Sequence, residues 1–206
     1  PPMDRQATEH LLGALQAVDL RIEKGDYTEA LAELDRVLTV YPTYEPAWVQ
    51  KSIVLKELDK LPEALTAISK ALELNPSEDS YLIQAQLYQY LRRFSEGLFA
   101  VENVLQINPQ HLQGWYLRSY LYKSMGNITA ALDAIDQVID MDSHFEAAWC
   151  QKGLLLDTMK RHKEAIECYD KALELNPNSE GIWNNKASCL DSVGQYEAAI
   201  TCYERA

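Results

Sequence analysis

The side chains of this 206-residue chain that could hold a metal or attack an electrophile are Cys150, Cys168, Cys189 and Cys202, and His10, His111, His144 and His162. A structural zinc or a dithiol redox centre needs close CxxC-type pairs, and no two of these cysteines stand so close. Nor does the chain contain an HExxH helix, a GxSxG elbow or a glycine-rich phosphate loop. The cysteines are therefore expected as free thiols filling small apolar spaces in a reducing compartment. The histidines fall at turns and element boundaries, where packing or solvation is the expected role. No catalytic residue, metal or cofactor is expected. One glycosylation triplet, Asn127-Ile128-Thr129, is a short match in a turn and decides nothing.

Charge narrows the partners. Asp and Glu number 31 against 19 Lys and Arg, for a net charge of −12, whereas binding to nucleic acid needs a basic stripe that displaces counterions from phosphates. The acidic residues are spread along the chain and form no tail, which suits a solvated helical surface. No run approaches the 18 apolar residues of a membrane helix, and PPMDRQATEH at the amino end has no basic segment followed by an apolar one. A cytoplasmic protein that neither enters a membrane nor binds nucleic acid is the expectation.

The elements that would have to position any functional group come from one unit, repeated. Glu146 to Pro177, EAAWCQKGLLLDTMKRHKEAIECYDKALELNP, aligns with Leu112 to Ser143, Glu78 to Pro109, Glu45 to Pro76 and, more loosely, Leu11 to Pro42. Glu180 to Ala206 is a sixth copy cut short. Three registers agree on the period. Aromatic residues recur at Trp48, Tyr81, Trp115, Trp149 and Trp183, and small ones at Ala30, Ala64, Gly97, Ala131, Ala165 and Ala199. Pro42, Pro76, Pro109 and Pro177 close their units, with Ser143 in the remaining place. Within each unit apolar residues fall three and four apart, the helical period. This predicts first helices near 8–24, 45–58, 78–91, 112–125, 146–159 and 180–193, and second helices near 27–40, 61–74, 94–107, 128–141, 162–175 and 196–206. Between them, Gly25, Gly126 and Gly194 suit a left-handed helix end, and Pro62 suits a first helical turn.

A 34-residue helical hairpin with an aromatic, spaced small residues and a closing proline resembles the tetratricopeptide repeat, over residues 11 to 206. The resemblance implies an all-α fold, an α-solenoid forming a right-handed superhelix of about six helix-turn-helix repeats, the last truncated. The repeats lie near 11–44, 45–77, 78–111, 112–145, 146–179 and 180–206, in a single domain spanning 1–206. It also implies a concave face, lined by first helices, that takes up a peptide or helix from another protein. The slots that point into that groove in the family hold Leu15, Asp19, Val49, Ile53, Leu82, Gln86 and Gln89 in the first half of the chain. In the second half they hold Tyr116, Tyr120, Lys123, Leu154, Asn184, Asn185 and Ser188. The lining grades from apolar to polar, and greasy residues outside the packing slots mark an interaction site.

Members of the family that capture the carboxyl-terminal tails of heat-shock chaperones clamp the carboxylate with two lysines, two asparagines and an arginine. The corresponding places here run from Leu15, Asp19, Gln50, Asp79 and Ile83 in one register to Tyr116, Tyr120, Gln151, Gly181 and Asn185 in another. No register offers a cation, and a carboxylate there would be left unpaired at a cost. The expectation is thus a non-catalytic scaffold or adaptor for an unidentified protein or peptide. The alternatives are a module that self-assembles through the uncapped carboxyl end, and the substrate-recognition arm of a larger enzyme. The missing polar cap after Ala206 leads us to expect a fragment of a longer protein, or an end covered by another chain.

Overall fold

The computed structural model describes residues 5–206, with side chains from Leu11 onward; Pro1–Asp4 and the side chain of His10 lie outside the described residues. Twelve α-helices account for the described chain. They run α1 Arg5–Lys24, α2 Tyr27–Val40, α3 Glu45–Glu57, α4 Leu61–Leu74, α5 Glu78–Tyr90, α6 Phe94–Ile107, α7 Leu112–Ser124, α8 Ile128–Met141, α9 Glu146–Thr158, α10 His162–Leu175, α11 Glu180–Ser192 and α12 Tyr196–Tyr203. Every expected helix is present, most with ends within one residue of expectation. The chief differences are α1, which starts three residues earlier, and α12, which stops at Tyr203. No helix among the described residues is long and apolar enough to cross a membrane.

The chain divides into two compact units, Pro1–Asn108 and Pro109–Ala206, each of three hairpins. In the first, α1 packs with α2, α3 with α4 and α5 with α6. The small slots Ala30 and Ala64 are fully buried there, with Leu34, Val54, Ile68, Leu87 and Val101. In the second unit the hairpins are α7–α8, α9–α10 and α11–α12, around buried Ala131, Ala165, Leu121, Ile135, Leu155 and Tyr169. A small side chain where the paired helices meet lets them approach, and the larger residues one turn away fill the space between hairpins.

Each hairpin turns through one residue in the left-handed region: Gly25, Asp59, Arg92, Gly126, Lys160 and Gly194, with φ between 58° and 79°. Glycine adopts this conformation without cost, whereas Arg92 and Lys160 hold it against their Cβ atoms. After each such residue the backbone N–H of the next reaches back to a carbonyl of the first helix, as in Arg161 N to Leu156 O at 2.9 Å. Pro62 lies in the first turn of α4, as expected.

The tryptophans do more than pack. The indole Nε1 of Trp48, Trp115, Trp149 and Trp183 donates to the carbonyl of Pro42, Pro109, Ser143 and Pro177 respectively, at 2.8 to 2.9 Å. Each indole is thereby tied to the residue six places before it, in the loop that leads into its own helix. Lysine stands three places further on in three of these repeats, where Lys51, Lys152 and Lys186 lie over the Trp48, Trp149 and Trp183 rings. The same lysines pair with Asp35, Asp136 and Asp170 on the second helix of the hairpin before. Helices α2 and α3, α8 and α9, and α10 and α11 are thus joined by the same ring, cation and carboxylate. On α12, Tyr196, Ile200 and Tyr203 form an exposed stripe, half or more of each side chain accessible.

Candidate functional site

Residues of α7, α9 and α11 in the second unit line a groove of about 390 Å³. Its walls include Tyr116, Tyr120 and Lys123 from α7, Leu154 from α9 and Asn185 from α11, all expected from sequence. Glu146, Cys150 and Gln151 of α9 and Ile182 of α11 complete much of the rest. The other two residues expected in this half, Asn184 and Ser188, are exposed on α11 and do not line the groove.

Tyr116 is anchored at one edge. Its ring meets Phe145 edge-on at 5.3 Å and packs against the core of the second unit, while Tyr120, one turn on, stays 37% exposed. Burial pushes the Tyr116 phenol above its ordinary pKa, with Cys150 and Glu146 adding to the rise. Burial likewise raises the Cys150 thiol, aided by Glu146 and opposed by Lys123. Both shifts favour the uncharged phenol and thiol. Gln151 is taken out of play: it is 6% exposed, and its Nε2 donates to Ser119 Oγ at 2.7 Å, which in turn donates to the Ala131 carbonyl at 2.7 Å. Asn185, also on the walls, is half-buried.

The expected residues of the first unit are placed differently. Leu15 and Val49 pack in part against its cores, and Ile53, Leu82, Gln86 and Gln89 are half-buried. Asp19 is exposed and accepts a hydrogen bond from Gln50 Nε2 at 2.8 Å. Two cavities of this unit, one beside Trp48 and Lys51 and one beside Tyr88 and Arg93, are lined by other residues.

Of the thiols, Cys168, Cys189 and Cys202 are buried and Cys150 is half-buried; all four are free. His162 opens α10 and its Nδ1 lies 2.7 Å from Asp157 Oδ1, to which Cys189 Sγ donates at 3.1 Å. Sequence reading gave His162 only the packing role of its turn slot and missed this cluster, because its members are 5 and 27 residues apart and fit no metal spacing.

Stacked helical hairpins with a groove lined from their first helices define an all-α repeat protein. Models of the tetratricopeptide repeat match residues 21–87, 112–145, 146–179 and 168–201. The chain belongs to the tetratricopeptide repeat family. A curated relative, Protein STIP1 homolog of Dictyostelium discoideum, is 33% identical over 89 residues, 43% of this chain. The chain spans only 14% to 16% of the length of the curated relatives it matches. Among solved structures, a tetratricopeptide repeat protein from Parabacteroides merdae superposes with a TM-score of 0.84 at 20% identity, over 97% of this chain and 78% of that one. Another, described as YrrB, a TPR protein with an unusual peptide-binding site, gives 0.68 at 16% identity, over 84% and 89%.

Proposed function

We propose that the protein is a non-catalytic adaptor that holds a segment of a partner protein in the α7–α9–α11 groove, through apolar and amide contacts. The observation that carries this reading is the groove wall itself. Tyr116, Tyr120 and Leu154 offer apolar area, and Asn185 offers a donor and an acceptor. Tyrosine contributes large contact area at low entropic cost, and aromatic anchors dominate interface energies. An extended peptide supplies backbone N–H and C=O groups for the amide and side chains for the apolar wall. The likeness to a repeat protein described as having a peptide-binding site supports the same reading. On this reading the protein works in the cytoplasm and its two units act as one domain.

The test compares wild-type protein with a Tyr116→Ala/Tyr120→Ala double variant as bait in a pull-down, followed by identification of what is lost. Each anchor is worth about 2 kcal/mol or more, so the variant is expected to bind more than tenfold more weakly. Its melting temperature is expected to fall too, since Tyr116 packs on Phe145 and the core, so both baits are compared below the variant's unfolding transition. Equal capture of the same partners by both baits rejects the groove.

A further inference from the structure

We propose that Asp157, His162 and Cys189 form a binding site for a single borderline-soft divalent cation of the zinc type. One ligand atom from each lies within 4.8 Å of the other two, and all three belong to the second unit. Asp157 ends the first helix of the fifth hairpin, His162 starts its second helix, and Cys189 comes from the next hairpin.

Packing alone does not ask for these residue types. One repeat earlier the same three positions are Lys123, Ile128 and Leu155, and another repeat back they are Gln89, Phe94 and Leu121. The Cys189 slot is fully buried in every case, so an aliphatic side chain fills it as well. The change to carboxylate, imidazole and thiol at once gives the donor set that zinc and cobalt prefer over magnesium or calcium.

A second observation points the same way. Tyr169 stands where the preceding repeats have Ile135, Val101 and Ile68, and it is fully buried with a hydroxyl that has no hydrogen-bond partner. Tyr169 and Cys189 belong to the same buried cluster of the second unit. Room for its ring comes from Gly153, where a Cβ would stand 2.6 Å from Tyr169 Cε1. A buried hydroxyl without a partner carries a desolvation cost, and a cation held by the three ligands, with water in its remaining position, gives that hydroxyl a partner. Asp157 and His162 remain partly accessible and provide the way in. On binding, the thiol proton of Cys189 passes to solvent, the thiolate and the carboxylate together balance the dication, and the imidazole coordinates as the neutral base.

The experiment uses the full 206-residue chain, stripped of metal and kept reduced, titrated with zinc against a chromophoric chelator and separately with cobalt. Wild type is expected to take up one equivalent of zinc, to melt at a higher temperature when loaded, and to show a thiolate-to-cobalt charge-transfer band. Cys189→Leu and His162→Ile copy the preceding repeat, so both are expected to fold. Each should weaken binding by more than the 10- to 100-fold that loss of an outer partner costs. Tyr169→Phe is expected to fall within that range. Cys150→Ser and Cys202→Ser are expected to bind as wild type does. Absence of saturable binding, a cobalt complex without the thiolate band, undiminished affinity in a folded Cys189→Leu variant, or loss of binding in Cys150→Ser would overturn the site.

Discussion

Ser52 and Ser119 occupy the same slot of two different repeats and are both fully buried, yet their hydroxyls fare differently. Ser119 donates to the Ala131 carbonyl and accepts from Gln151, whereas Ser52 Oγ has no partner. Leaving a buried hydroxyl unpaired costs about 1–3 kcal/mol. Ser52→Ala is therefore expected to leave stability unchanged or raise it by up to about 1 kcal/mol, while Ser119→Ala lowers it by roughly 1–3 kcal/mol. Chemical denaturation of the pair checks both signs. Gly153 gives a second contrast: alanine there gains about 1 kcal/mol of helix propensity but drives a Cβ into the Tyr169 ring. Overpacking costs about 1–3 kcal/mol, so Gly153→Ala is expected to lower the unfolding midpoint, and Gly153→Ala with Tyr169→Leu to recover most of the loss. These details were closed to sequence reading. The repeat pattern singled out the small residues at 131 and 165 and gave no sign that a tyrosine sixteen residues after Gly153 leans on it.

Helices and turns were the most legible level. Apolar spacing of three and four located every element, since a helix that buries one stripe must repeat its apolar residues at that period. Glycine marked three of the six left-handed turns and could not mark the others, because Asp59, Arg92 and Lys160 carry the same backbone without the telltale residue. The strain held there is measurable. A left-handed non-glycine residue costs roughly 1–2 kcal/mol, offset in part by the greater entropy of an unfolded glycine. Lys160→Gly is accordingly expected to raise the stability of the second unit by about 0.5–1 kcal/mol, and Asp59→Gly by less, since Asp tolerates this region better. Parallel thermal melts decide the order. The tryptophans are legible from sequence as one recurring aromatic slot, but the indole-to-carbonyl bond six residues back was invisible, because Tyr81 shares the slot without an indole N–H.

At the scale of the molecule, the repeat period pointed to the fold, and the slots implied by the family resemblance include five of seven in the second unit that line one groove. It could not foresee that Leu15 and Val49 turn partly into the cores of the first unit, since the period fixes a slot's direction but not the size of the neighbours around it. Nor could it find Asp157, His162 and Cys189, which meet only after two hairpins stack. We propose that the two compact units unfold as one cooperative domain. Variants retaining a single tryptophan at Trp48 or Trp183 are expected to give coincident urea transitions by fluorescence, matching the loss of helical circular dichroism. Midpoints that separate between the two reporters would show that each unit folds by itself.

The recurrent lysine, indole and aspartate at the joints carry a further implication. The fifth hairpin offers Lys152 to the hairpin before it and Asp170 to the one after it, so it holds both halves of the same connector. A tandem duplication of Glu146–Ser179 would set a new Lys152 opposite the old Asp170 and give the inserted hairpin a complete joint at once. The gene can thus lengthen by whole hairpins, through a single recombination event, with no compensating substitution at the seam.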